Sequence, residues 1–157
     1  MGAFIRFYVR VLAAHVLSYV GVGGISYMLI MRHVWHNFPA DLCLWDITSP
    51  HVQFWLWPVQ FVRAMVLAGV FYPLRETLLR MGRLGGLFVA GVMIGIGCLA
   101  GFNGLFENLI FYRNVSLYLY WVHIPEITAQ TLAFGYLLML LERQAAEQGL
   151  QTLLQRA

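Results

Sequence analysis

FWLWPVQFVRAMVLAGVFYPL, residues 54–74, carries one charged side chain, Arg63, within an otherwise apolar run. At the α-helical rise of 1.5 Å per residue the stretch is roughly 31 Å long, which matches a hydrocarbon core about 30 Å thick. In lipid a lone segment satisfies its backbone N–H and C=O groups only as a helix, so the run predicts a membrane-crossing helix. Three more apolar stretches, at about 7–31, 87–111 and 117–141, are long enough to do the same. The expected fold class is therefore all-α: a polytopic membrane protein with four transmembrane helices forming one domain over residues 1–157.

Composition agrees with this reading. Hydrophobic residues make up 61% of the chain and charged residues 11%, against about 25% charged in soluble domains, and the connections are too short for a separate soluble domain. All ten basic residues are arginine. Arg6, Arg10, Arg75, Arg80, Arg83, Arg143 and Arg156 fall on one side of the four spans, with Arg32 and Arg113 on the other. The positive-inside rule then predicts both termini in the cytoplasm, N-in and C-in, for a bacterial inner-membrane protein. Arginines at span ends also account for the net charge of +3 without a basic patch, and nucleic acid is not an expected partner. The first apolar run begins like a signal peptide but continues to Met31 without a small-residue cleavage site, so it reads as a retained span.

Trp35, Trp45, Trp55 and Trp57 around the first connection, with Tyr118, Tyr120 and Trp121 at the start of span 4, fit an aromatic belt at the outer interface. Pro125 is expected to kink span 4. Residues 142–157 alternate charged and apolar side chains, as a short amphipathic cytoplasmic helix on the inner surface would. In span 3, Gly91 and Gly95, and Gly97 and Gly101, are spaced for close helix packing, with Gly104 one turn on. That seam predicts packing within the bundle, or a homo-oligomer as the alternative.

Polar side chains inside the spans are the candidates for chemistry: Gln60 and Arg63 in span 2, Asn103 and Glu107 in span 3, and His123, Glu126 and Gln130 in span 4. Placing an Arg or Asp at a helix centre costs about 2.5 to 3.5 kcal/mol, so partners are expected. Arg63 and Glu126 each lie about 13 Å below the outer ends of their spans, Asn103 lies at a similar depth, and Glu107, His123 and Gln60 lie roughly 7 to 9 Å down. Within each span the polar residues recur at three, four or seven positions, on one helix face. The stripes therefore predict an outward-facing polar pocket between spans 2, 3 and 4, where Arg63 pairs with Glu107 or Glu126. The competing reading is a buried ion-pair network that only fixes helix register.

His33 and His36, with Asp41, Cys43, Asp46 and His51 nearby, are potential metal ligands but form no complete set at a recognised spacing, so no metal and no cofactor is expected. His15 in span 1 reads as an isolated, hydrogen-bonded packing histidine rather than a proton relay. Cys43 and Cys98 are too far apart in this topology to form a disulfide. Nucleotide-loop, serine-elbow and zinc-helix motifs are missing from the sequence, and span 1 shows no polar stripe of the kind an inverted-repeat transporter would need.

Three blocks, Pro73-Leu74-Arg75-Glu76, the Glu-Asn-Leu-Ile-Phe-Tyr run at 107–112, and His123-Ile-Pro125-Glu126 with Gln130, resemble an uncharacterised family of small bacterial four-helix inner-membrane proteins. The resemblance covers spans 2 to 4 and implies the topology but no activity. The expected function is binding or assisting, with membrane lipid around the protein and a hydrophobic ligand or partner transmembrane helix at the pocket. The alternatives are a small membrane enzyme acting on a lipid-like substrate at the outer leaflet and a proton-coupled transporter.

Overall fold

The computed structural model describes residues 2–31, 49–96 and 117–155, apart from the side chains at 30, 31, 52, 117–123 and 153. Every regular element among them is helical. The first helix begins as α1 (Gly2–Ser18) and passes through a π-helical segment (Tyr19–Gly23), the single α turn α2 (Gly24–Ser26) and a second π-helical segment (Tyr27–Met31). Ser18, Gly23, Gly24 and Tyr27 all keep right-handed helical torsions, so the helix runs on through these changes of hydrogen bonding. The other elements are α3 (Pro50–Phe71), α4 (Arg75–Arg80), α5 (Arg83–Ile94) and α6 (Leu117–Leu154).

Three helical stretches are long and apolar enough to cross a membrane: Gly2–Leu29, Gln53–Phe71 and Ile124–Thr152. They fall on expected spans 1, 2 and 4. α5 covers the start of expected span 3 as a shorter apolar helix of 12 residues, and residues 97–111 lie outside the described residues. So do the connection bearing His33, His36, Asp41, Cys43 and Asp46, and Gly97, Cys98, Gly101 and Gly104.

α1 packs against both α3 and α6, and α6 packs in turn against α5. The buried positions follow helical spacing: Phe7, Val11, Ala14 and Ser18 on α1; Gln60, Ala64, Ala68 and Phe71 on α3; Thr131, Phe134, Leu138 and Glu142 on α6. Phe4 and Phe7 meet Tyr72 edge-on, with ring centroids 5.2 and 5.5 Å apart, fixing the end of α3 against the start of α1. Pro73 follows α3 without an N–H to extend the ladder, and α4 begins two residues later. Gly82 reverses the chain between α4 and α5 at φ 65°, a torsion glycine adopts without a Cβ clash.

The structure differs from the sequence expectations at two places. α6 continues through residue 142 to Leu154 as one helix of 38 residues, so the tail is not a separate helix. Finally, Gly91 and Gly95 make no close helix approach to any described residue, since nothing described lies within 4 Å of a Cβ at either. That approach falls to Gly86 and Gly135: a Cβ on Gly86 would stand 2.9 Å from the Gly135 carbonyl oxygen, and one on Gly135 would collide with the Gly86 carbonyl.

Candidate functional site

His15 sits where α1, α3 and α6 meet. With Gln60 Oε1 as acceptor, the His15 Nε2–H donates across 2.8 Å, and both side chains are buried. Phe134 from α6 meets the imidazole edge-on at 6.1 Å. One turn along α1, the Ser18 hydroxyl donates to the His15 carbonyl at 3.0 Å. Gln60 takes this inward position because it shares the α3 face of Ala64 and Ala68, whose small side chains let α1 come close.

Beside this junction, along α3, lies an open cavity of about 410 Å³. Trp55, Val59, Val62 and Val66 line it, and His15 and Arg63 border it with carbon atoms alone, so its wall is apolar throughout. Arg63, three residues on from Gln60, lies about a sixth of a turn from it around the helix and is exposed. Among the described residues no carboxylate forms an ion pair with it.

Glu126 and Gln130 approach the first helix at Gly23, inside its first π-helical segment. A Cβ there would stand 3.8 Å from Glu126 Oε1 and 3.9 Å from Gln130 Nε2. The missing side chain leaves room for two polar groups one turn apart on α6. A π turn inserts one residue into the helix and recurs at functional sites.

A third polar centre closes the opposite end of the bundle. Glu142 is 2% exposed, and its two oxygens accept from Arg10 Nε and from Arg75 Nε, the latter at 2.5 Å. These charge-assisted bonds connect α1, α6 and the start of α4. They bring the N-terminal helix, the turn after α3 and the last third of α6 to one end of the molecule.

The polar stripes on α3 and α6 thus turn towards the first helix. Gln60 meets His15, Glu126 and Gln130 meet Gly23, and α1 stands between α3 and α6. Asn103, Glu107 and the His123 side chain lie outside the described residues, so the span 3 part of the expected pocket lies there too. His15 has the expected hydrogen bond but is not isolated. The first helix also carries a polar stripe, His15, Ser18 and Ser26, which the sequence reading denied it. Glu142 was missed altogether. Its signal was present: Thr131, Phe134 and Leu138 predict the next inward position at 142.

No protein-family model, curated protein or solved structure matches the chain.

Proposed function

We propose that this chain is a four-span bacterial inner-membrane protein, both termini cytoplasmic, that binds a hydrophobic ligand in the groove between α1 and α3. The observation that carries the reading is the groove itself: an open space of about 410 Å³ with an aliphatic wall and an arginine beside it, halfway along an apolar helix. Small-molecule sites are likewise lined mostly by apolar side chains. The neighbouring His15 supports holding over chemistry, because its donor is committed to Gln60. The resemblance over spans 2 to 4 and the arginine distribution support the four-span orientation.

Protein purified in mild detergent, extracted and analysed by mass spectrometry, should yield an amphiphile in near-stoichiometric amount. Val66→Trp, which fills the groove with an indole on a lipid-facing side, should deplete that molecule while leaving the melting temperature unchanged. Equal recovery from both proteins overturns the reading.

A further inference from the structure

The end of the bundle that Glu142 closes carries more arginines than that carboxylate uses. Arg10 and Arg75 are bound to it, whereas Arg80, Arg83 and Arg143 form no ion pair among the described residues. Three elements bring these three side chains together. Arg80 ends α4 and Arg83 begins α5, on either side of the turn at Gly82. Arg143 reaches the same turn from α6, for a Cβ on Gly82 would stand 3.2 Å from its Nη2. Glycine serves twice here, taking up the φ of 65° and leaving room for the guanidinium. The Gly82 N–H donates to the Leu79 carbonyl and the Leu84 N–H to the Met81 carbonyl, each at 3.2 Å, so the turn is tight and keeps Arg80 and Arg83 beside it. Glu76 and Glu147 stand four residues along a helix from Arg80 and Arg143, yet neither forms an ion pair with that arginine. Like charges gathered in this way repel, and an anion among them offsets the repulsion.

The surroundings decide which anion. Guanidinium groups match phosphate with parallel, charge-assisted hydrogen bonds. Past Arg83, the side chains of Leu84, Leu87 and Phe88 are exposed. They form one stripe on α5, opposite the buried Gly85, Gly86, Val89 and Ala90. Positive charge thus gives way to hydrocarbon within about one turn of helix. A free phosphate ion would use the arginines and leave the stripe untouched, whereas a phospholipid uses both. A choline or ethanolamine head would bring its own cation to three arginines, which favours a head of net negative charge. Basic pockets between helices on the cytoplasmic side of a membrane hold anionic lipid heads by the same means.

We propose that the turn between α4 and α5 holds one anionic phospholipid, its phosphate among Arg80, Arg83 and Arg143 and an acyl chain along Leu84, Leu87 and Phe88. The site is separate from the groove on α3 and does not depend on a ligand there.

The test titrates the full chain in nonionic detergent with dioleoylphosphatidylglycerol and follows binding by native mass spectrometry. Uptake should saturate at one molecule per chain, and dioleoylphosphatidylcholine should bind about tenfold more weakly or less. Arg83→Gln and Arg143→Gln each remove charge-assisted bonds and should weaken phosphatidylglycerol binding about tenfold. Arg83 is exposed, so its variant should keep the melting temperature of the parent and decides the matter if Arg143→Gln unfolds. Arg6→Gln removes another exposed arginine from the same end of the bundle and should leave the affinity unchanged, as a built site requires. Leu84→Ser combined with Leu87→Ser should weaken the lipid too, while Val66→Trp should not, so this site and the groove fail separately. Three results overturn the proposal. Equal binding of the two lipids removes the selection by charge. An equal loss from Arg6→Gln and Arg83→Gln reduces the site to diffuse attraction. Displacement of phosphatidylglycerol by millimolar inorganic phosphate makes the turn a site for the free ion.

Discussion

Glu142 shows how much a single side chain carries when it is both charged and out of water. Burying a carboxylate costs several kcal/mol, and an arginine on each oxygen offsets that cost only while both remain. Glu142→Gln would leave Arg10 and Arg75 facing each other across a neutral amide. It should lower stability by about 3 to 5 kcal/mol, the usual loss when one member of a buried charge network is removed. Arg10→Met or Arg75→Met should cost less, since each arginine is partly solvated and Glu142 keeps one partner. Unfolding by graded SDS in detergent micelles measures all three, and a loss within about 0.5 kcal/mol for Glu142→Gln would show that the cluster adds nothing. In the sequence, Arg10 and Arg75 already served as orientation signals and Glu142 as the start of a surface tail. Glu142 stands 132 residues from Arg10 and 67 from Arg75, and no local pattern links them. Gln60 was legible as a costly polar group, but its partner His15 follows only from the packing of α3 on α1.

At the level of the helices, the close approach lies where Gly86 of α5 faces Gly135 of α6. Adding one methyl group at position 135 drives it into the Gly86 carbonyl. Gly135→Ala should therefore lose about 1 to 3 kcal/mol, as overpacked sites do. Gly95→Ala meets nothing described within 4 Å and should be neutral or gain up to about 1 kcal/mol from helix propensity. Melting temperatures in detergent separate the two, and a larger loss at position 95 than at 135 would reverse the assignment. Spacing alone favoured Gly91 and Gly95 because they stand four apart. What decides contact is the level of the partner helix, which spacing within one helix does not contain. The first helix was hard to read for a related reason. Its π-helical segments each insert a residue, so the faces after Ser18 drift from strict α periodicity. The existence and type of three long helices, over expected spans 1, 2 and 4, were legible, since hydrophobic length alone sets them. That α6 continues unbroken past residue 142 was not, because charged and apolar residues alternate alike on a surface helix and on a projecting one.

Across the whole molecule, the Arg10–Glu142–Arg75 cluster puts the N-terminal helix, the turn after α3 and the last third of α6 at one end. The positive-inside rule predicts that this end faces the cytoplasm. In a variant without Cys43 and Cys98, a cysteine at Asp41 should react with an impermeant maleimide in intact cells and one at Arg83 should not; the opposite pattern would invert the orientation. α6 is 38 residues long, roughly 57 Å at the helical rise, nearly twice what a crossing requires. Its residues 144–154 beyond the cluster are almost all exposed. The same cluster has a consequence in time. A ribosome makes Arg10 first and Arg75 next, and Glu142 follows 132 residues after the one and 67 after the other. While the early helices take their orientation, both arginines present bare positive charge, and their common acid arrives too late to mask it. The latch closes only once α6 has been threaded, so a nascent chain halted short of residue 142 is oriented but unfastened.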